Sequence, residues 1–132
     1  NSVLSATTLT ISNTGSLTWS GSFGFNVGTF SWPASTTQTI TLAQLVVYVV
    51  RTSITTRGSA ANLITLTSSG AVNRALLTLN NSAIQDVGFT SATRIDSSSG
   101  QTIYTRRGVL TDTVNWQLLT NPVTVSKSFL LQ

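Results

Sequence analysis

The chain has 132 residues, a formal net charge of +4 and only 8% charged side chains against 40% hydrophobic ones. Histidine, cysteine, methionine and glutamate are absent, whereas 19 serines and 24 threonines make up about a third of the chain. That composition removes imidazole and thiol chemistry, disulfide staples and the usual zinc or copper ligands, and it leaves three aspartates as the only acidic side chains.

A chain of this length fits a single domain over residues 1–132 that buries a core without staples. Charged residues fall far short of the quarter common in globular enzymes, so the outer faces must be hydroxyl-rich or covered by further copies.

The hydrophobic periodicity is two rather than 3.6. From Leu17 through Trp19, Gly21, Phe23 and Phe25 to Val27, apolar or glycine positions alternate with polar ones, which predicts a half-buried strand. Thr39 to Ile54 has apolar residues at both parities and reads as one long central strand buried on both faces. The segment Ser82 to Phe89, with Asn81 or Ser82 as a cap and Asp86 early, is the one helix candidate. Shorter strands are predicted at Asn62–Thr67, Ala71–Leu79, Gln101–Arg106, Val109–Leu119 and Val123–Leu131. Turn signals such as Arg57-Gly58-Ser59, Ser68-Ser69-Gly70 and Asn80-Asn81-Ser82 separate them. No internal repeat of the kind that marks solenoids or propellers is legible. Alternating strands punctuated by turns predict an all-β fold, an antiparallel β-sandwich most consistent with an eight-stranded jelly roll.

No catalytic site can be read from the residues. The acidic residues are Asp86, Asp96 and Asp112; Asp96-Ser97-Ser98 and Asp112-Thr113-Val114 both lack the glycine of a carboxylate dyad, the three read as solvated turns or salt bridges to Arg94 or Arg106, and the chain is expected not to be an enzyme. No metal site is predicted beyond an unsupported option of Ca²⁺ between subunits, and no cofactor is required. The longest apolar run, Leu45 to Val50, is far below the roughly 18–20 residues of a membrane helix, so no membrane partner is expected. Six arginines and one lysine point instead to a polyanion, with Arg106, Arg107, Arg57 and Arg51 as the candidate nucleic-acid contacts.

A cysteine-free, Thr/Ser/Val-rich, basic β domain patterned through Leu17–Val27, Thr39–Ile54 and Val109–Leu131 resembles the small jelly-roll coat proteins of satellite and other small icosahedral viruses. The resemblance implies a virion protein that assembles with many copies of itself into a shell around nucleic acid, RNA by preference. In that family a basic N-terminal arm holds the genome. Residues 1–11 carry no positive side chain, so the coat reading adds the expectation of a basic segment preceding Asn1. The alternative is an extracellular fibre, pilus or adhesin subunit in which the uncharged stretch Val3–Ile11 completes a neighbouring sheet by strand addition. A third reading is a projecting receptor- or carbohydrate-binding domain with Trp19, Trp32, Trp116 and Tyr104 as a sugar platform, although tryptophans in a β domain more often fill its core.

Overall fold

A computed structural model describes residues 3–12, 15–32 and 38–119. Its elements are all strands: β1 (Leu4–Thr10), β2 (Ser16–Thr18), β3 (Phe25–Trp32), β4 (Gln38–Leu42), β5 (Val47–Arg57), β6 (Ile64–Ser68) and β7 (Ala75–Leu79). They continue with β8 (Ile84–Gly88), β9 (Thr90–Thr93), β10 (Ile95–Asp96), β11 (Ile103–Arg106), β12 (Leu110–Thr111) and β13 (Trp116–Leu119).

Every pairing is parallel, which overturns the antiparallel sandwich and the jelly roll. The strands form two sheets between which the chain alternates, except that β7 and β8, and β10 and β11, follow each other within the first. The first sheet runs β1-β3-β5-β8-β11-β13, with β7 also on β5 and β10 on β7; the second runs β2-β4-β6-β9-β12. Two parallel neighbours cannot be joined by a tight hairpin, and here each crossover is a strand of the opposite sheet rather than a helix. The result is a parallel β-solenoid in which each coil stacks on the one before.

Alternation sets what faces inward. Val27, Val50 and Leu79 are paired across β3, β5 and β7 and all fully buried, and Ile40, Leu66 and Ala92 make the matching column in the second sheet. Phe25 stacks on Phe30 and, with Tyr48, receives the edge of Trp19, closing the aromatic end of the core. The Tyr48 hydroxyl accepts the Ala43 amide, and burial pushes its pKa above the ordinary tyrosine value.

Several predicted segments are corrected by this winding. The long strand Thr39–Ile54 is two strands in different sheets, β4 and β5, divided at Leu45, whose φ is 62°. Leu17–Val27 divides similarly between β2 and β3 around Gly21, and Val109–Leu119 between β12 and β13 around Asp112 and Asn115. Ser82–Phe89 is not a helix: Ile84–Gly88 is β8, paired with Ser53–Arg57 of β5. The turn before it is held by the Gln101 side-chain amide, which donates to the carbonyls of Asn80 and Ala83. Val123–Leu131 lies outside the described residues.

A solenoid repeat does exist, with no constant period. Paired residues lie 21 apart for Leu4 and Phe25, 24 for Phe30 and Ile54, 31 for Ser53 and Ile84, and 18 for Val87 and Thr105. The second sheet varies less, from 26 for Ile40 and Leu66 to 18 for Ala92 and Leu110, and the first sheet also branches. There β5 forks, Val47–Val50 pairing with β7 and Ser53–Arg57 with β8.

Candidate functional site: a hydroxyl array and an open strand edge

The second sheet places its polar positions outward in two columns. Ser16, Thr39, Thr65 and Ser91 are aligned in one column, and Thr18, Thr41, Thr67, Thr93 and Thr111 in the other. Four of the five strands supply a hydroxyl, an inward apolar residue and a second hydroxyl, Ser16-Leu17-Thr18, Thr39-Ile40-Thr41, Thr65-Leu66-Thr67 and Ser91-Ala92-Thr93, and the fifth keeps only the second hydroxyl, in Val109-Leu110-Thr111. No charged or aromatic residue occurs in any strand of this sheet. Its register runs without a shift, and the buried Ile40, Leu66 and Ala92 back it directly.

The first sheet begins in the same way and then departs. Thr8, Thr29 and Ser53 are aligned, as are Thr10, Ser31 and Thr55, but the next coil continues these columns with Ile84 and Asp86. The hydroxyls of Thr29 and Ser53 bond each other at 3.1 Å.

Asp86 gathers two of the four arginines expected to hold nucleic acid. Arg57 and Arg106 each donate a guanidinium Nη2 to one oxygen of its carboxylate. Arg107 lies over the Phe89 ring, 5.8 Å from its centroid, so Arg57, Arg106 and Arg107 share one neighbourhood. Arg51 lies apart. It sits six residues before Arg57 on β5, about 20 Å along an extended strand, where its Nη2 donates to the Ala6 carbonyl.

The Arg106 hydrogen bond is the main cause holding the Asp86 carboxyl below its usual range; partial burial opposes it and Arg57 reinforces it. The ion pairs therefore stabilise the fold fully above an unfolded aspartate's pKa of about 3.9, and the stabilisation is lost as pH falls through the lower folded value. Asp86→Asn is expected to cost about 1 kcal/mol at neutral pH, the upper end for exposed pairs. Urea titrations of both proteins should show the difference closing in acid.

The other carboxylates are separate. Asp112 pairs with Arg74, and the Asp96 carboxylate accepts the Ser98 amide. No group of three or more carboxylates occurs among the described residues. The tryptophans do not form a platform: Trp32 and Trp116 are buried, donating to the Gln38 side chain and the Ser97 hydroxyl, and Trp19 packs on Phe25 and Tyr48, while Tyr104 is exposed.

The remaining feature is an edge. β1 pairs with β3 of its own chain, and its other side has no strand partner among the described residues. The strand LSATTLT carries no charge and no proline, the devices that normally block edge pairing. Its inward residues are also incompletely covered, Leu4 being 40% exposed and Leu9 half-buried. The sequence already marked residues 3–11 as pairing material. The hydroxyl columns went unread there because their apolar centres Leu17, Ile40, Leu66, Ala92 and Leu110 are unevenly spaced. In comparisons with protein-family models, curated proteins and solved structures, the chain matches none.

Proposed function

We propose that this chain is a self-associating structural subunit of an open filament, its coils continuing from one copy into the next. The observation that carries this reading is the uncharged β1 edge, unpartnered among the described residues, above an incompletely covered end of the core. Solenoids need terminal units that close the hydrophobic column, and an open end favours another coil. A head-to-tail contact of this kind uses two different surfaces and extends without closing.

The closed-shell coat reading rested on paired antiparallel sheets, and parallel coils leave it without that support. Polyanion binding retains one local basis, the Arg57–Arg106–Arg107 neighbourhood, although two of its guanidiniums already share Asp86. The filament alternative therefore takes precedence, with one change: Leu4–Thr10 pairs with β3 of its own chain and offers its outer edge instead of crossing to a neighbour.

Ser5 and Thr8 are exposed on β1, so lysines there place charge beside the edge at little cost to the core. Wild-type protein is expected to elongate with concentration in light scattering and to show filaments under negative stain. Ser5→Lys/Thr8→Lys should remain short. Wild-type protein that stays monomeric at every concentration would refute the proposal, as would filaments unaffected by the two lysines.

A further inference from the structure

We infer that the outer face of the second sheet is an ice-binding surface, its occupant being the ordered lattice of crystalline water. The inference stands independently of filament formation, because a single chain presents the whole face.

Spacing carries the argument. Adjacent strands lie about 4.8 Å apart and alternate residues along a strand about 6.6 Å apart, so the two aligned columns, one over four strands and the other over five, form a rectangular grid whose longer column is about 19 Å. The prism face of ordinary ice repeats its oxygen positions at closely similar intervals in two perpendicular directions. A lattice ligand requires this two-dimensional register, whereas simple wetting of a surface requires only hydroxyls in any arrangement.

The chemistry of the positions fits the same occupant. Threonine offers a hydroxyl that both donates and accepts, beside a methyl group that holds neighbouring water in a cage, and its branched Cβ limits rotation. The side-chain hydroxyls of Thr39, Thr41, Thr65 and Thr93 make no hydrogen bond to protein among the described residues and are therefore left for water. On the first sheet, by contrast, Thr29 bonds Ser53, and Asp86 with its arginines interrupts the columns. Charges there hold hydration shells that do not match a crystal. Only the second sheet combines an unshifted register, an uncharged face and a packed apolar backing. Each hydroxyl binds ice weakly, but a rigid grid engages many at once with little further loss of freedom.

Nanolitre osmometry and recrystallisation assays on the full chain provide the test. Wild-type protein is expected to open a gap between melting and freezing temperatures, to facet growing crystals and to keep ice grains small. Thr41→Tyr and Thr65→Tyr, each placing a bulky ring in the middle of the grid, should abolish the gap. Ser31→Tyr on the first sheet should leave it intact, with circular dichroism confirming the fold of all three. Should a central variant misfold, Thr18→Tyr at the exposed end of the same column should reduce the gap, and fluorescently labelled wild type should be taken up into a growing ice hemisphere. Rounded crystals and no gap with wild type would overturn the inference. So would a gap insensitive to the central tyrosines, or sedimentation showing a wild-type dimer that Thr65→Tyr separates, since the face would then belong to a second copy.

Discussion

Trp32→Ala is expected to destabilise the protein by about 3–5 kcal/mol, the range for emptying a fully buried aromatic site. Trp32 has no exposed surface and ends β3 opposite Thr56 of the following coil. Its indole nitrogen donates to the Gln38 Oε1 at 2.7 Å, joining the first sheet to the start of β4 in the second. The substitution therefore empties a core position and unfastens two sheets in the same coil. Stability in a solenoid is close to a sum of units and nearest-neighbour junctions, so the damage should concentrate where the second coil meets the third. Urea unfolding followed by far-ultraviolet circular dichroism should show a much lower midpoint, with the first coils separating from the rest. An unchanged midpoint would show that Trp32 is not packed as described.

Gly108→Ala should have an effect of similar size for a different reason, about 3–5 kcal/mol when left-handed strain and overpacking are combined. Gly108 has a φ of 130°, and an added Cβ would lie 2.1 Å from the Thr90 carbonyl oxygen. The obstacle is backbone, which cannot rotate away, so β11 and β12 would have to lift from the coil beneath. Gly21 separates the two contributions: its φ is 110°, but nothing lies within 4 Å of its missing Cβ. Gly21→Ala should cost only the conformational part, about 1–2 kcal/mol. Thermal and urea denaturation of both variants check this order, and equal losses would remove the close approach as the cause.

These two sites illustrate what the sequence made readable. Buried and outward positions alternate strictly in β4, β6 and β7, so strand character and much of the core were legible. Strand direction was not, because an inward and outward alternation reads the same in parallel and antiparallel sheets. The corners were obscured by residues without turn chemistry. Leu45 and Phe89 adopt φ values of 62° and 49°, a conformation neither sequence context announces, so Thr39–Ile54 read as one strand. Asn81, Ser82 and Asp86 imitated a helix start, whereas tertiary pairing with β5 makes the segment a strand. An aspartate salt bridge to Arg106 was expected and Asp86 makes it, but Arg57 as its second partner was not foreseen. Arg57, Asp86 and Arg106 are distant in sequence and meet because the coils bring Arg57 opposite Gly88 and Gly88 opposite Arg106.

The forked first sheet also governs how the molecule carries load. Upstream, β3 grips β5 from Asn26 through Trp32, a broad seam of parallel backbone bonds. Past the fork the seams narrow to Ile95 and Asp96 on β7, Thr105 and Arg106 on β8, and Leu110 and Thr111 on β9. Tension drawn along the stacking axis would concentrate at this waist, peeling the later coil while the broader coils stay intact. Such a joint would yield first and spare the durable segments upstream.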